Sequence, residues 1–105
     1  MTAAWPFDDP PNTASLTSAD ILDRHLPILW VSRDEDDWGF QFHSANGAPD
    51  DLAEGRVVGL GTMLRLDPSL AAVADLPPGW RAHRVAPDAP WQRAGPDKRP
   101  PVVAP

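Results

Sequence analysis

Proline sets the outer limits of what this chain can fold into. The 105 residues include 14 prolines. They crowd the two ends, with Pro6, Pro10 and Pro11 ahead of residue 16 and Pro87, Pro90, Pro96, Pro100, Pro101 and Pro105 behind residue 84. A proline has no N–H to give to a helix or a ladder, and it pushes the residue before it out of the helical region. Proline-rich coil is therefore expected over 1–15 and 85–105, the second stretch partly docked through Trp91. The folded body is expected over 16–84, as one small domain. A body of that size buries only about 60% of the surface its unfolded chain exposes, which leaves little room for a deep enclosed active site.

Within the body, hydrophobic period assigns the elements. Thr17 followed by Asp20 in "LTSAD" is a capping pattern, so a helix is expected there, with Ile21, Leu22 and Leu26 as its apolar side and Pro27 as its stop. "PILWVS" reads as a strand whose near-continuous hydrophobicity calls for cover on both faces. "WGFQFHS" alternates strictly, placing Trp38, Phe40 and Phe42 on one face and Gln41 and His43 on the other. These two strands are expected as antiparallel neighbours joined through residues 33–37. "RVVGLG" is a third strand and "WRAHRV" a fourth, with Trp80, Ala82 and Arg84 on one side. Between them Met63, Leu66, Leu70 and Val73 recur at helical spacing. Asp67-Pro68 interrupts that stripe as N-cap and first helical residue, so two short helices are expected. The sum is an α+β fold: an antiparallel sheet of three to four strands packed with two or three short helices.

Charge narrows the function. The net charge is −6, and it is unevenly spread. Residues 1–54 hold eleven acids and two bases, a net −9, while residues 55–105 hold four acids and seven bases, a net +3. Nucleic-acid binding rests largely on neutralising phosphates, so no nucleic-acid partner is expected. A protein partner with a basic surface is. There is no cysteine, which removes disulfides, thiolate metal sites and cysteine nucleophiles. No apolar run approaches the ~20 residues that cross a bilayer, and "MTAAWPFDDPP" lacks the basic and apolar regions of a signal peptide. The expectation is no membrane, a cytoplasmic location and no cofactor; the oligomeric state is not legible.

The candidate site is the run Asp34-Glu35-Asp36-Asp37. It does not make a calcium loop: counting from Asp34, Trp38 occupies the fifth place and Ala45 the twelfth, where oxygen ligands are needed. Adjacent acids in a hairpin connection are ordinarily hydrated, and a catalytic carboxylate needs apolar burial to raise its pKa. The run therefore reads as a solvated turn able to face a partner. Asp34, Asp36 and Asp37, with Asp50 and Asp51 in the next loop, are the expected contact residues. His25, His43 and His83 have no ligand-like spacing, and no serine-nucleophile, Walker or dinucleotide motif is present, so neither catalytic nor metal residues are assigned. Trp30, Trp38 and Trp80 are expected in the core; Trp5 and Trp91 either dock on the body or anchor a partner.

The segments "DDWGFQF", "RVVGLGTMLRLDPSL", "DLPPGWRAHR" and "APWQR" resemble small uncharacterised bacterial proteins. They are also similar to the immunity protein 33 family, which pairs an aromatic strand with a later "DP" helix and a "P-G" turn. The resemblance spans about residues 28–93 and brings no catalytic residues. Together with the lopsided acidic charge, the lack of a catalytic constellation and the small domain, the expectation is a non-enzymatic bacterial binding protein, of which an immunity protein neutralising a cognate toxin through an acidic surface is one form. A structural accessory or regulatory domain, its proline-rich tail docked on another protein, is the alternative. A small metal-dependent hydrolase is the third reading, and it requires the histidines and acids to converge.

Overall fold

The acidic run is the turn of a β-hairpin, and that hairpin is the centre of the sheet. Strands β2 (Trp30–Arg33) and β3 (Phe40–His43) pair antiparallel, with Val31 opposite Phe42 and Arg33 opposite Phe40. The computed structural model describes residues 5–37, 39–47 and 51–95, so the expected core position of Trp38 lies outside the described residues. Phe40 and Phe42 point inward and are buried, while Gln41 and His43 take the opposite face, as the alternation requires.

Around this hairpin stand β1 (Ala14–Ser18), β4 (Gly55–Gly59), β5 (Arg81–His83) and β6 (Gln92–Ala94). The spatial order is β4-β1-β3-β2-β5-β6. Among the described residues the sheet thus has six strands rather than three or four. It is mixed rather than antiparallel, because β1 lies parallel to β3 with Leu16 opposite Gln41. The coarse expectation of a small single-domain α+β fold holds.

The two added strands come from stretches not expected as strand, β1 from the end of the expected coil and the start of the expected helix and β6 from the expected tail, and each has a physical reason. In β1 the usual polarity is inverted. Ser15 and Thr17 are buried and Leu16 is 44% exposed, because the inward hydroxyls find backbone acceptors, Ser15 Oγ donating to Val58 O (2.8 Å) and Thr17 Oγ1 to Phe42 O (3.0 Å). No helix opens at Thr17. Helix α1 spans only Ala19–Leu22, with Ser18 at its N-cap position, and His25 turns the chain in a left-handed conformation at φ 61°. Strand β6 sits between Pro90 and Pro96 on the outer edge, where a ladder can stop after three residues and proline does no harm.

Helix α2 (Leu60–Leu66) and the 3₁₀ segment Pro68–Val73 cover one face of the sheet. The break between them is as expected: Asp67 accepts from Ser69 N–H (3.0 Å), and Pro68 takes the first position. Met63, Leu70 and Val73 join Phe7, Ile21, Ile28, Val31, Leu60, Leu76 and Ala82 in the core, but Leu66 is 48% exposed, since the break shifts the phase of the stripe there.

Among the described residues no helix lies over the other face. Trp30, expected in the core of a strand covered on both sides, is 39% exposed there and stacks on His83, with ring centroids 5.1 Å apart. Both end tryptophans dock on the body. Trp5 donates to Asp9 O (2.6 Å) beside Phe7, and Trp91 lies 4.2 Å from the Arg84 guanidinium. Phe7, in the expected N-terminal coil, meets Phe40 edge-on at 5.2 Å.

Candidate functional site

The hairpin tip is built with few bonds. Asp34 N–H donates to Gly39 O (2.8 Å) and closes the turn, and Asp37 Oδ1 accepts from Gly39 N–H (2.9 Å). Asp34 is half-buried, and both of its carboxylate oxygens accept from Gln41 Nε2, at 3.1 and 3.0 Å. Glu35, Asp36 and Asp37 are exposed. Neighbouring Arg33 turns the other way. Its guanidinium is in the inner layer, donating to Leu76 O (3.0 Å) and lying 5.1 Å from the Phe40 ring. Four ion pairs join described residues: Arg24–Glu54, Arg56–Asp23, Arg84–Asp67 and Arg93–Asp75. None of them involves Asp36 or Asp37.

Beside the tip, β1 and β3 part company after their single registered pair and leave a cleft of about 210 Å³. Leu16 and Phe40 are among its apolar lining, and Asp34 and Asp37 line it as well. Two residues of the acidic turn thus belong to a notch. Such a notch suits a long basic side chain, whose stem lies on apolar surface and whose charge meets carboxylates.

The remaining expected contact residues are not part of this site. Asp51 is exposed and accepts from Ala53 N–H (3.0 Å), capping the 3₁₀ turn Leu52–Glu54. That turn feeds the start of β4, which pairs with the end of β1, so Asp51 lies at the end of the sheet opposite the tip. Asp50 lies outside the described residues.

The histidines are likewise distributed. His25 is exposed after α1, beside a separate cleft of about 390 Å³ walled by Ile21, Leu26, Ile28 and Leu66. His43 and His83 flank Trp30 across three strands of the uncovered face. His43 Nε2 and Gln41 Oε1 are 3.0 Å apart. With the Gln41 amide donating to Asp34, its oxygen must accept, so His43 Nε2 carries the proton and Nδ1 is a lone pair, buried and unpartnered. Burial pushes the His43 pKa below its ordinary 6.5, against the opposing pull of the Asp20 and Asp34 carboxylates. Among the described residues no group of three or more His, Asp or Glu could hold a metal ion.

Two polar centres escaped the sequence. Asp20 accepts from Ser18 Oγ, from Ser44 Oγ (2.5 Å) and from Asn46 Nδ2 (3.1 Å), tying α1 to the loop after β3. Burial works to raise its pKa, but these bonds outweigh it and hold the carboxyl below its ordinary 3.8. Arg84 is the second centre. The alternation puts it on the side of Trp80 and Ala82, yet nothing local in "WRAHRV" shows its acceptors, which come from three separate segments.

A scan of protein-family models, a search of curated proteins and a search of solved structures find no match to this chain. Its functional reading therefore rests on this geometry.

Proposed function

We propose that this chain is a non-enzymatic bacterial binding protein that meets a protein partner of basic surface through its hairpin tip, acting as an immunity protein does when it neutralises a toxin. One observation carries the reading: Asp34 and Asp37 line a cleft together with Leu16 and Phe40, beside exposed Glu35 and Asp36. Carboxylates standing in solvent steer a basic partner and favour the right orientation, while the cleft gives one of its side chains a seat. The described part of the proline-rich tail supports this reading over the accessory-domain one. Trp91, the anchor that an accessory role would use, packs on the chain's own Arg84.

The test uses the basic product of a neighbouring toxin-like gene as the probe, with association measured as salt is raised. Wild type is expected to associate fast at low salt and to slow steeply, because exposed charges act over about 8–10 Å. Asp36→Asn with Asp37→Asn is expected to associate more slowly and to flatten that salt dependence, with dissociation little changed. Equal association rates for wild type and variant, at every salt concentration, would overturn the role of the tip.

A further inference from the structure

Strand β4 lies at one edge of the sheet, with β1 as its partner. Leu60 N–H donates to Thr13 O (3.0 Å), one step beyond the Ala14–Gly59 pair. Hydrogen-bonded pairs alternate along an antiparallel ladder, so they fall at Ser15–Val58 and Thr17–Arg56. The N–H and C=O groups of Gly55, Val57 and Gly59 therefore point away from β1, toward the outside of the sheet. Natural edges are usually blunted by lysine, proline or a bulge. Here the strand reads Gly-Arg-Val-Val-Gly. Its one charged side chain lies back along the strand: the Arg56 guanidinium donates to Ala53 O (2.7 Å) and to the outward Gly55 O (2.9 Å) and pairs with Asp23 (3.1 Å), which leaves Val57 as the centre of the open edge. Val57, 67% exposed, has nothing over it among the described residues.

We propose that β4 is a self-association edge, onto which a second copy of the chain adds its own β4 antiparallel about a two-fold axis at Val57. The sequence of the strand fits that axis. Val57 faces the partner copy's Val57, Arg56 faces Val58, and Gly55 faces Gly59, so no like charges stand opposite one another. The outward N–H and C=O of Val57 then bond to their symmetry mates. On the uncovered face, Leu16 and Val57 of each copy form one continuous apolar row across the axis. Charge favours this edge over other approaches: two chains of net −6 repel in general, whereas the charge of Arg56 is already matched by Asp23. Pairing five residues on each copy buries on the order of 600 Å², about half the ~1,200 Å² at which stable interfaces begin. The dimer is accordingly weak, below the affinity of stable interfaces.

Sedimentation equilibrium from about 10 μM to about 1 mM covers such weak association. Wild type is expected to pass from one copy toward two over this range. Val57→Pro and Val57→Lys are expected to remain single copies with unchanged unfolding midpoints, since the Val57 N–H is not used within the fold and proline is tolerated on an outward edge. If Val57→Pro fails to fold, Val57→Lys decides alone. A wild type that stays single throughout, as it would if the edge were reserved for an extended segment of another protein, overturns the proposal. So does a dimer that survives Val57→Lys.

Discussion

Replacing Arg84 by methionine is the sharpest test of how this small fold is held. The residue is 4% exposed, and its guanidinium has five N–H groups to place. The structure gives it five contacts. Nε and Nη2 donate to Ile28 O (3.0 and 2.9 Å), Nη1 to Ser69 Oγ (2.8 Å) and Pro87 O (2.9 Å), and Nη2 to Asp67 Oδ2 (2.5 Å). Trp91 closes over the top. Methionine keeps much of the stem volume but leaves Asp67 and two carbonyls without their donor. Breaking a buried pair by removing one partner costs about 3–5 kcal/mol, against roughly 5–15 kcal/mol for a whole domain. The unfolding free energy from urea titration, followed by tryptophan fluorescence, is expected to fall by that amount, seen as a lower midpoint at an unchanged m-value. Lysine should not rescue it, because a compact ammonium has three donors where five are used. In a double-mutant cycle with Asp67→Asn, the second change should cost less than it does alone. An unfolding free energy for Arg84→Met within about 1 kcal/mol of wild type would refute this account, because surface changes have effects of that size.

Leu70→Ala, at a fully buried position, is expected to lose roughly 2–5 kcal/mol in the same assay; an unmoved midpoint would detach the 3₁₀ segment from the core. Asp36→Asn with Asp37→Asn should leave the unfolding free energy within about 0.5 kcal/mol of wild type, since asparagine keeps the oxygen that caps Gly39 and Asp36 lies in solvent; a large loss would make the tip structural. Stability should fall as pH drops below 6.5. His43 has a folded pKa beneath that ordinary value, so the unfolded chain takes up the proton first, and the stabilisation present above 6.5 is lost toward the folded pKa. His43→Gln should remove this slope, and urea midpoints between about pH 5 and pH 7 read it. Asp20 adds a second loss at lower pH. Its stabilisation is complete above 3.8 and disappears as pH falls through the depressed folded value.

How much of this fold was legible depended on whether pattern and environment agreed. Phe40 and Phe42 alternate with Gln41 and His43 on a strand with one packed face, so period alone oriented them. Asp67-Pro68 carried its own cap chemistry and marked the break correctly. β1 was hidden because its inward residues are Ser15 and Thr17, whose burial depends on acceptors 43 and 25 residues away in sequence. Trp30 misled for the converse reason. An apolar run reads as two-sided cover, but here its indole stacks on His83 at the surface. The acidic turn was visible as a turn. Its cleft was not, since that depends on β1 lying parallel to β3, a pairing no local pattern encodes.

The fold's own needs account for nearly every buried charge, and that is why the tip stands apart. Arg33 and Arg84 are used on main-chain carbonyls, Asp67 caps the 3₁₀ segment, and Asp20 gathers three side-chain donors. Among the described residues, the Asp34 amide and the Asp37 carboxylate bond to Gly39 and close the hairpin. Asp36 takes part in no hydrogen bond or ion pair among the described residues, and its charge adds repulsion to a turn that would close without it. A small domain has little stability to set against such repulsion. A carboxylate with this cost and no part in the fold needs an explanation outside the fold. Under the reading proposed above, that explanation is a contact with a basic partner at the cleft that Asp34 and Asp37 line, a step away.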